Sequence, residues 1–200
     1  SFITSILKLD KTRNGEILIT SGLTKDNDIS IVAINFSINL SLAAPEDRKV
    51  VIAVMKQSGS ALQYASTAMK ADKETVLAAV QQSGLALQYA SEEMKANKDV
   101  AKTAVLENGM ALQYSKSEEI KADKEAMKAA VNANGMALAE ASESIQADMG
   151  VVVEAVQQDG LALQYASEEM KKDKHVVHAA ITQTPWALQY SHKEIVKHKV

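Results

Sequence analysis

The twelve residues GLALQYASEEMK run from Gly84 to Lys95 and recur unchanged from Gly160 to Lys171, 76 residues further on. A catalytic constellation needs each of its residues once, whereas a structural module can be copied. Shorter relatives of the same stretch begin at Gly59 (GSALQYAS), Gly109 (GMALQYS), Gly135 (GMALAEAS) and Pro185 (PWALQYS). The six starts are separated by 25, 25, 26, 25 and 25 residues, the one extra residue being Lys116. A period held through six copies marks a repeat architecture, in which each copy buries its apolar face only against its neighbours.

The six repeats run from Asp47 to about Lys197. Each opens with Asp or Asn (Asp47, Asp72, Asn97, Asp123, Asp148, Asp173), whose side chains accept from the unpaired amides of a helix start. Acids follow at Glu74, Asp99 and Glu125, where the helix dipole favours them. Apolar residues then recur at i, i+3 and i+4, as in Val76, Ala79 and Val80 or Val152, Ala155 and Val156, which is one helix stripe. The Gly that follows is expected to end this helix in the left-handed conformation. A second, shorter helix should turn inward Ala86, Leu87, Ala90 and Met94, and again Ala162, Leu163, Ala166 and Met170. Leu87 and Leu163 then act as wedges, Tyr89 and Tyr165 cover the neighbouring repeat, and Ser91, Ser117 and Ser167 cap a final turn before their Glu-Glu pairs. Only 4% of residues are aromatic, so the core must be built from Ala, Val, Leu and Met.

The stretch DKETVLAAVQQSGLALQYASEEMKAN, 72–97, resembles the helical repeats described as domain of unknown function 4116. The resemblance covers Asp47 to about Lys197 and rests chiefly on the ALQYASEE element. It implies no known activity and no catalytic residue. It also implies a setting in single-celled eukaryotes, algae among them, or in some intracellular bacteria. Two repeats depart from the pattern: Ala139-Glu140 stands for Gln-Tyr, and Pro185-Trp186 stands for Gly-Leu.

Residues 1–46 differ in kind. GEILIT and DISIVAINF are rich in Ile and Val and flanked by the turn residues Arg13-Asn14-Gly15 and Lys25-Asp26-Asn27, so they read as strands. SGLTKDNDISIVAI is similar to the closing turn and last strand of a ubiquitin-like β-grasp domain, of which about half would be present. A β-hairpin that caps the first helical repeat is the other reading. The expected fold is therefore mainly α: an α-solenoid of six 25-residue helical-hairpin repeats over 47–200, behind a small β segment over 1–46.

The chemistry-bearing residues mostly belong to the repeat. With 22 basic against 25 acidic residues, no bulk field draws nucleic acid or anionic lipid. The absence of cysteine removes disulfides, thiolate chemistry and cysteine metal sites, and fits an intracellular home, cytoplasmic or organellar. No apolar run reaches the roughly 18 residues of a membrane span. The chain starts at Ser1 with no signal-peptide pattern, as a processed end or the cut edge of a fragment would. The adjacent carboxylates Glu92-Glu93, Glu118-Glu119 and Glu168-Glu169 do not face one another on a helix, so they read as turn caps and surface charge. His175 and His178 have a metal-compatible i, i+3 spacing, but other repeats place Glu, Leu or Lys there, and a solvated face is the plainer reading. Lysines at the junctions (Lys70, Lys95, Lys121, Lys171 and Lys73, Lys98, Lys124, Lys174) would align as a stripe beside an acidic ladder that cancels its field. A row of glutamines, Gln63, Gln88, Gln113, Gln164 and Gln189, is expected to hydrogen-bond neighbouring loops, with the gripping of a partner's backbone as the alternative.

No nucleotide loop, nucleophile elbow or metalloprotease motif is present in the sequence. The expected function is a non-enzymatic protein–protein interaction scaffold without cofactor or metal, possible as one subunit of a larger assembly. A recruiting module of a larger enzyme or secreted effector is the alternative, and an RNA-binding repeat is the weaker one. Repeated residues build the scaffold, so recognition of a partner falls to positions that break the pattern. These are Lys116, Glu140, which should open a polar notch, and Trp186, with Gln88 and Gln164 from the glutamine row.

Overall fold

In the computed structural model, which describes residues 9–11, 17–19, 45–193 and 195, the Asp or Asn that opens each repeat after the first caps a helix. Asp72 accepts from the Thr75 amide at 3.0 Å, Asp123 from Ala126 at 3.1 Å, Asp148 from Val151 at 3.1 Å, and Asn97 from Val100 at 3.3 Å. Asp173 does the same for Val176 at 3.1 Å. The helices that follow are Lys73–Gln82, Lys98–Glu107, Lys124–Ala133, Met149–Gln158 and Lys174–Gln183, each of ten residues. The first repeat differs. Its helix is Pro45–Gln57, so Asp47 lies inside it and not at its start; Pro45 suits a first turn because its missing amide is unneeded there.

The second element of each repeat corrects the sequence expectation. The Gly-x-Ala-Leu-Gln-Tyr stretch is a 3-10 helix and not an α-helix: Gly59–Tyr64, Gly84–Tyr89, Gly109–Tyr114, Gly135–Glu140, Gly160–Tyr165 and Pro185–Tyr190. It is pinned between extended residues, Ser83 (φ −151°, ψ 107°) before and Ala90 (φ −67°, ψ 160°) after, which leave it only six residues. A run this short closes through i to i+3 bonds, such as Ala90 N to the Leu87 carbonyl at 3.1 Å. A further short turn completes the repeat. Ser66, Ser91 and Ser167 cap it by accepting from Met69, Met94 and Met170 amides, each at 3.3 Å. Ser117, just after the inserted Lys116, makes no such cap, and its own amide donates to the Ser115 hydroxyl at 3.2 Å.

Glycine also has a different role from the one expected. Gly59, Gly109, Gly135 and Gly160 do not adopt the left-handed conformation, and the helices before them end in extended residues such as Ser83, Asn134 and Asp159. What these positions require is proximity. A Cβ on Gly59 would lie 2.3 Å from the Ala79 carbonyl oxygen of the next repeat, one on Gly135 2.5 Å from that of Ala155, and one on Gly160 2.3 Å from that of Ala180. The 3-10 helices that begin at Gly59, Gly109, Gly135 and Gly160 therefore lay their bare backbone on the α-helix of the following repeat. The contact is tied by side chains from that helix: the Gly59 amide donates to Gln82 Oε1 and the Gly135 amide to Gln158 Oε1, both at 2.6 Å.

The apolar stripes meet behind this contact. Val76, Ala79, Val80, Leu87, Val152, Ala155, Val156 and Leu163 are all fully buried, and Ala86, Ala90, Met94, Ala162, Ala166 and Met170 nearly so. Backbone bonds link the short turns of successive repeats: Ser91 N to Lys70 O at 2.8 Å, Ser142 N to Lys121 O at 2.8 Å, and Ser167 N to Gln146 O at 2.9 Å. Ion pairs link the α-helices on their outer face. Arg48 meets Asp72 at 2.6 Å and Glu74 at 3.1 Å, Lys73 meets Asp99 at 2.5 Å, Lys124 meets Asp148 at 2.6 Å, and Lys128 meets Glu154 at 2.5 Å.

The chain divides into two compact units, Ser1–Glu107 and Asn108–Val200, the boundary falling inside the third repeat. In the first, the strands Leu9–Lys11 and Ile17–Ile19 pair antiparallel, with Asp10 opposite Leu18. The second strand lies within the GEILIT run. The DISIVAINF strand and the ubiquitin-like stretch fall outside the described residues. Among the described residues no helix is long and apolar enough to cross a membrane.

Gly160→Ala should destabilise the chain by about 1–3 kcal/mol, the usual result of forcing an atom into a packed contact. Gly150→Ala, where the nearest atom to a new Cβ is Asp148 Oδ1 at 3.3 Å, should stay within about 1 kcal/mol of the parent. Equivalent effects of the two substitutions in urea unfolding would refute the close-approach account. Leu163→Ala should cost about 2–5 kcal/mol. Its loss of hydrogen-exchange protection should be concentrated in the repeats on either side, because contacts in such an array are between neighbours.

The capping aspartates predict an acid sensitivity. Partial burial opposes ionisation of Asp72, but hydrogen bonds from Thr75 and Arg48 outweigh it and hold the carboxyl below the usual range. Lys124, with help from the Val151 amide, does the same for Asp148. Both carboxyls thus stay ionised in the folded chain at pH values where the unfolded chain binds protons. Their contribution is complete above about pH 4 and is lost as pH falls through the lowered folded-state values. Asp148→Asn keeps a competent cap but loses the pair with Lys124. It should lower stability at pH 7 by about 1 kcal/mol or less and flatten the dependence of melting temperature on pH below 4. An unchanged acid slope would exclude this pair as a source.

Candidate functional site

Departures from the repeat gather in one place. Met110 and Met136 occupy the second position of the third and fourth 3-10 helices, where the other repeats have Ser60, Leu85, Leu161 and Trp186. Ala133 stands where the other helices carry Gln57, Gln82, Glu107, Gln158 and Gln183. Glu140 stands where five other repeats place a tyrosine.

These changes open a space. At two other junctions Gln82 and Gln158 extend to the glycine amide, whereas beside Gly109 the shorter Ala133 methyl takes that place, 2.7 Å from where a Gly109 Cβ would be. One turn further along, Glu140 supplies a carboxylate in place of a ring. A cavity of about 370 Å³ lies here, between Gly109–Tyr114 of the third repeat and Lys124–Glu140 of the fourth. Its walls include Met110, Leu112, Met136 and Ala137, and its polar rim comprises Gln113, Ser115, Lys121, Asn134 and Glu140.

The rim is held in place from within. The Asn134 side chain accepts from the Met136 amide at 3.1 Å, and Asn108 accepts from the Met110 amide at 3.0 Å, which fixes the start of both 3-10 helices. Gln113 Nε2 donates to the Met110 carbonyl at 3.0 Å. Lys121 Nζ pairs with Glu118 at 2.9 Å and stands 3.8 Å from Glu140. The Glu118 hydrogen bond, with a smaller contribution from the Glu140 charge, raises the Lys121 ammonium above its usual range. It therefore remains charged at neutral pH. The arrangement has no nucleophile–base pair, and it combines soft apolar walls with donors and acceptors at the edge, as ligand-binding hollows do.

Of the five candidate partner-binding residues Lys116, Glu140, Trp186, Gln88 and Gln164, Glu140 alone lines the cavity, joined there by Gln113 of the glutamine row, Lys121 of the lysine stripe and Ser117. Lys116 is exposed in the link between two 3-10 helices, and Trp186 is 78% exposed on the sixth repeat. The glutamine row takes a structural role other than the expected one. Gln88 and Gln164 donate to the carbonyls of Leu85 and Leu161 in their own 3-10 helices, each at 3.1 Å, and not to a neighbouring loop. Lys73, Lys95, Lys121, Lys124 and Lys171 are each paired with a carboxylate, three of them with the first Glu of a Glu-Glu pair. His175 and His178 are exposed, and no metal-binding group of three or more His, Asp and Glu exists among the described residues. Sequence reasoning missed Ala133, Met110, Met136 and Ser115; a comparison of the six repeats column by column carries the signal.

Comparison with known proteins agrees with the periodicity. A family model matches three times, over residues 47–95, 97–146 and 148–196, and each match spans two of the 25-residue repeats. The cavity lies within the second match. No curated protein sequence and no solved structure matches the chain. The matches cover about three quarters of the 200 residues, and the chain belongs to the family described as Domain of unknown function (DUF4116).

Proposed function

We propose that this chain is a non-enzymatic interaction scaffold of the α-solenoid type, whose point of recognition for a partner protein is the cavity beside Glu140. The observation that carries the proposal is the convergence of departures from the repeat on one spot. Met110 and Met136, at the same place in successive repeats, and Glu140, in place of a tyrosine, line the same hollow, and Ala133 lies beside its wall residue Gly109. The paired lysines support a protein partner over a nucleic acid, because a cation already held by a carboxylate contributes little to phosphate attraction.

Glu140→Tyr restores the residue that the other repeats use, so the variant should fold and melt at or above the parent's temperature. In quantitative affinity capture from the native source, at least one protein should be retained about 10-fold less by this variant, a difference of ~1.4 kcal/mol. Glu169→Tyr, at an exposed carboxylate remote from the cavity, should retain that protein fully. Identical captured sets for parent and Glu140→Tyr, with a raised melting temperature, would leave Glu140 as a neutral substitution and end the proposal.

A further inference from the structure

We infer that the cavity receives a tyrosine side chain of the partner protein, an inference that rests on the scaffold reading above. The array itself supplies the template. The backbone position of Glu140 carries a tyrosine in every other repeat, and those of the adjacent repeats, Tyr114 and Tyr165, are half-buried. The fourth repeat thus retains the 3-10 framework that accommodates a phenol ring but lacks the ring.

The walls fit such a guest. Met110 and Met136 come from the two repeats that bound the cavity, and no other repeat has methionine at this position. Thioethers are flexible and polarisable, adapt to a ring that enters from outside, and make favourable sulfur–aromatic contacts. Met110 is 40% exposed, so this surface is open at its rim. The volume of about 370 Å³ is at the small end of ligand hollows, which suits one side chain better than a folded segment.

The rim selects for a hydroxyl donor. Lys121 is already held by Glu118 at 2.9 Å, and its 3.8 Å separation from Glu140 is too long for a hydrogen bond. The Glu140 side chain is 61% exposed, and its carboxylate is placed to accept from a phenolic O–H. Lys121 and Glu140, the charged residues of the rim, balance one another, which suits a neutral ring.

The test uses N-acetyl-tyrosinamide as the probe and the ¹³C-labelled methionine methyls as the readout. Titration into the intact chain should shift the Met110 and Met136 methyl resonances saturably, at millimolar concentration. N-acetyl-leucinamide, apolar but without a ring, should bind about 5-fold more weakly or worse. Glu140→Tyr should abolish the shifts. If that variant fails to fold, Ala133→Gln, which restores the repeat's own residue at the other end of the hollow, should abolish them as well. Equal binding of the two amides, or shifts that persist in both variants, would overturn the inference, as would silent Met110 and Met136 resonances at saturating probe. Any of these results with a partner still lost on Glu140→Tyr overturns the tyrosine alone; a partner indifferent to Glu140→Tyr overturns the scaffold reading itself.

Discussion

The joint between repeats depends on a backbone-to-backbone approach with no side chain between. Gly59, Gly135 and Gly160 press the 3-10 helix onto the carbonyl side of the next repeat's α-helix, at distances where a single methyl would collide. Everything else follows from that closeness. It lets a glutamine reach across to the glycine amide, and it brings the wedge leucines under cover. It also explains how Ala, Val and Leu suffice for a core with so few aromatics, since thin side chains fill the narrow gap that close elements leave. The outer ion pairs then align the helices, at the modest energies that exposed pairs provide.

The cavity is a fault in this joint and inherits its shape from it. At Gly59 and Gly135 the gap beside the glycine is closed by a carboxamide, and the 3-10 helices of the other repeats end in a phenol. Removing both from the fourth repeat leaves the frame intact, because Leu138 and Val131 remain fully buried and the Asn134 turn is held by its own hydrogen bond. A hollow made in this way is preorganised. Its walls are parts of the scaffold whose positions are set by neighbouring contacts, and a guest does not have to order them at its own expense.

Much of this was legible in the sequence. The period, the Asp and Asn caps from Asp72 onward, the inward leucines and the final turns capped by Ser91 and Ser167 followed from local rules that the structure obeys, whereas Asp47 lies inside its helix and Ser117 makes no cap. The nature of the second helix did not, because GLALQY has good α-helix formers such as Leu87 and Gln88, and only the extended residues on both sides confine it to 3-10 geometry. The glycines misled for a related reason. A Gly after a helix more often serves a left-handed cap, whereas here its lack of a side chain answers to a carbonyl 20 residues away, a relation that no local window contains. Glu140 could be found because it replaces a residue as conspicuous as tyrosine. Ala133 stands out only when the six repeats are compared column by column, and what its shortness does appears only once Gln82 and Gln158 are seen to cross to the preceding repeat.

The interlocking of successive copies has a consequence for how such a chain changes over generations. The first five repeats carry a glycine on one side and a receiving helix on the other, and Lys73 and Lys124 meet Asp99 and Asp148 at the helix starts of the copies that follow. Both halves of every junction are thus encoded within a single stretch of about 25 codons. A gene segment duplicated by recombination arrives with compatible ends and needs no compensating change to fit. The length of the array can therefore vary faster than its joints, and the unaltered pair GLALQYASEEMK bears the mark of such a copying event.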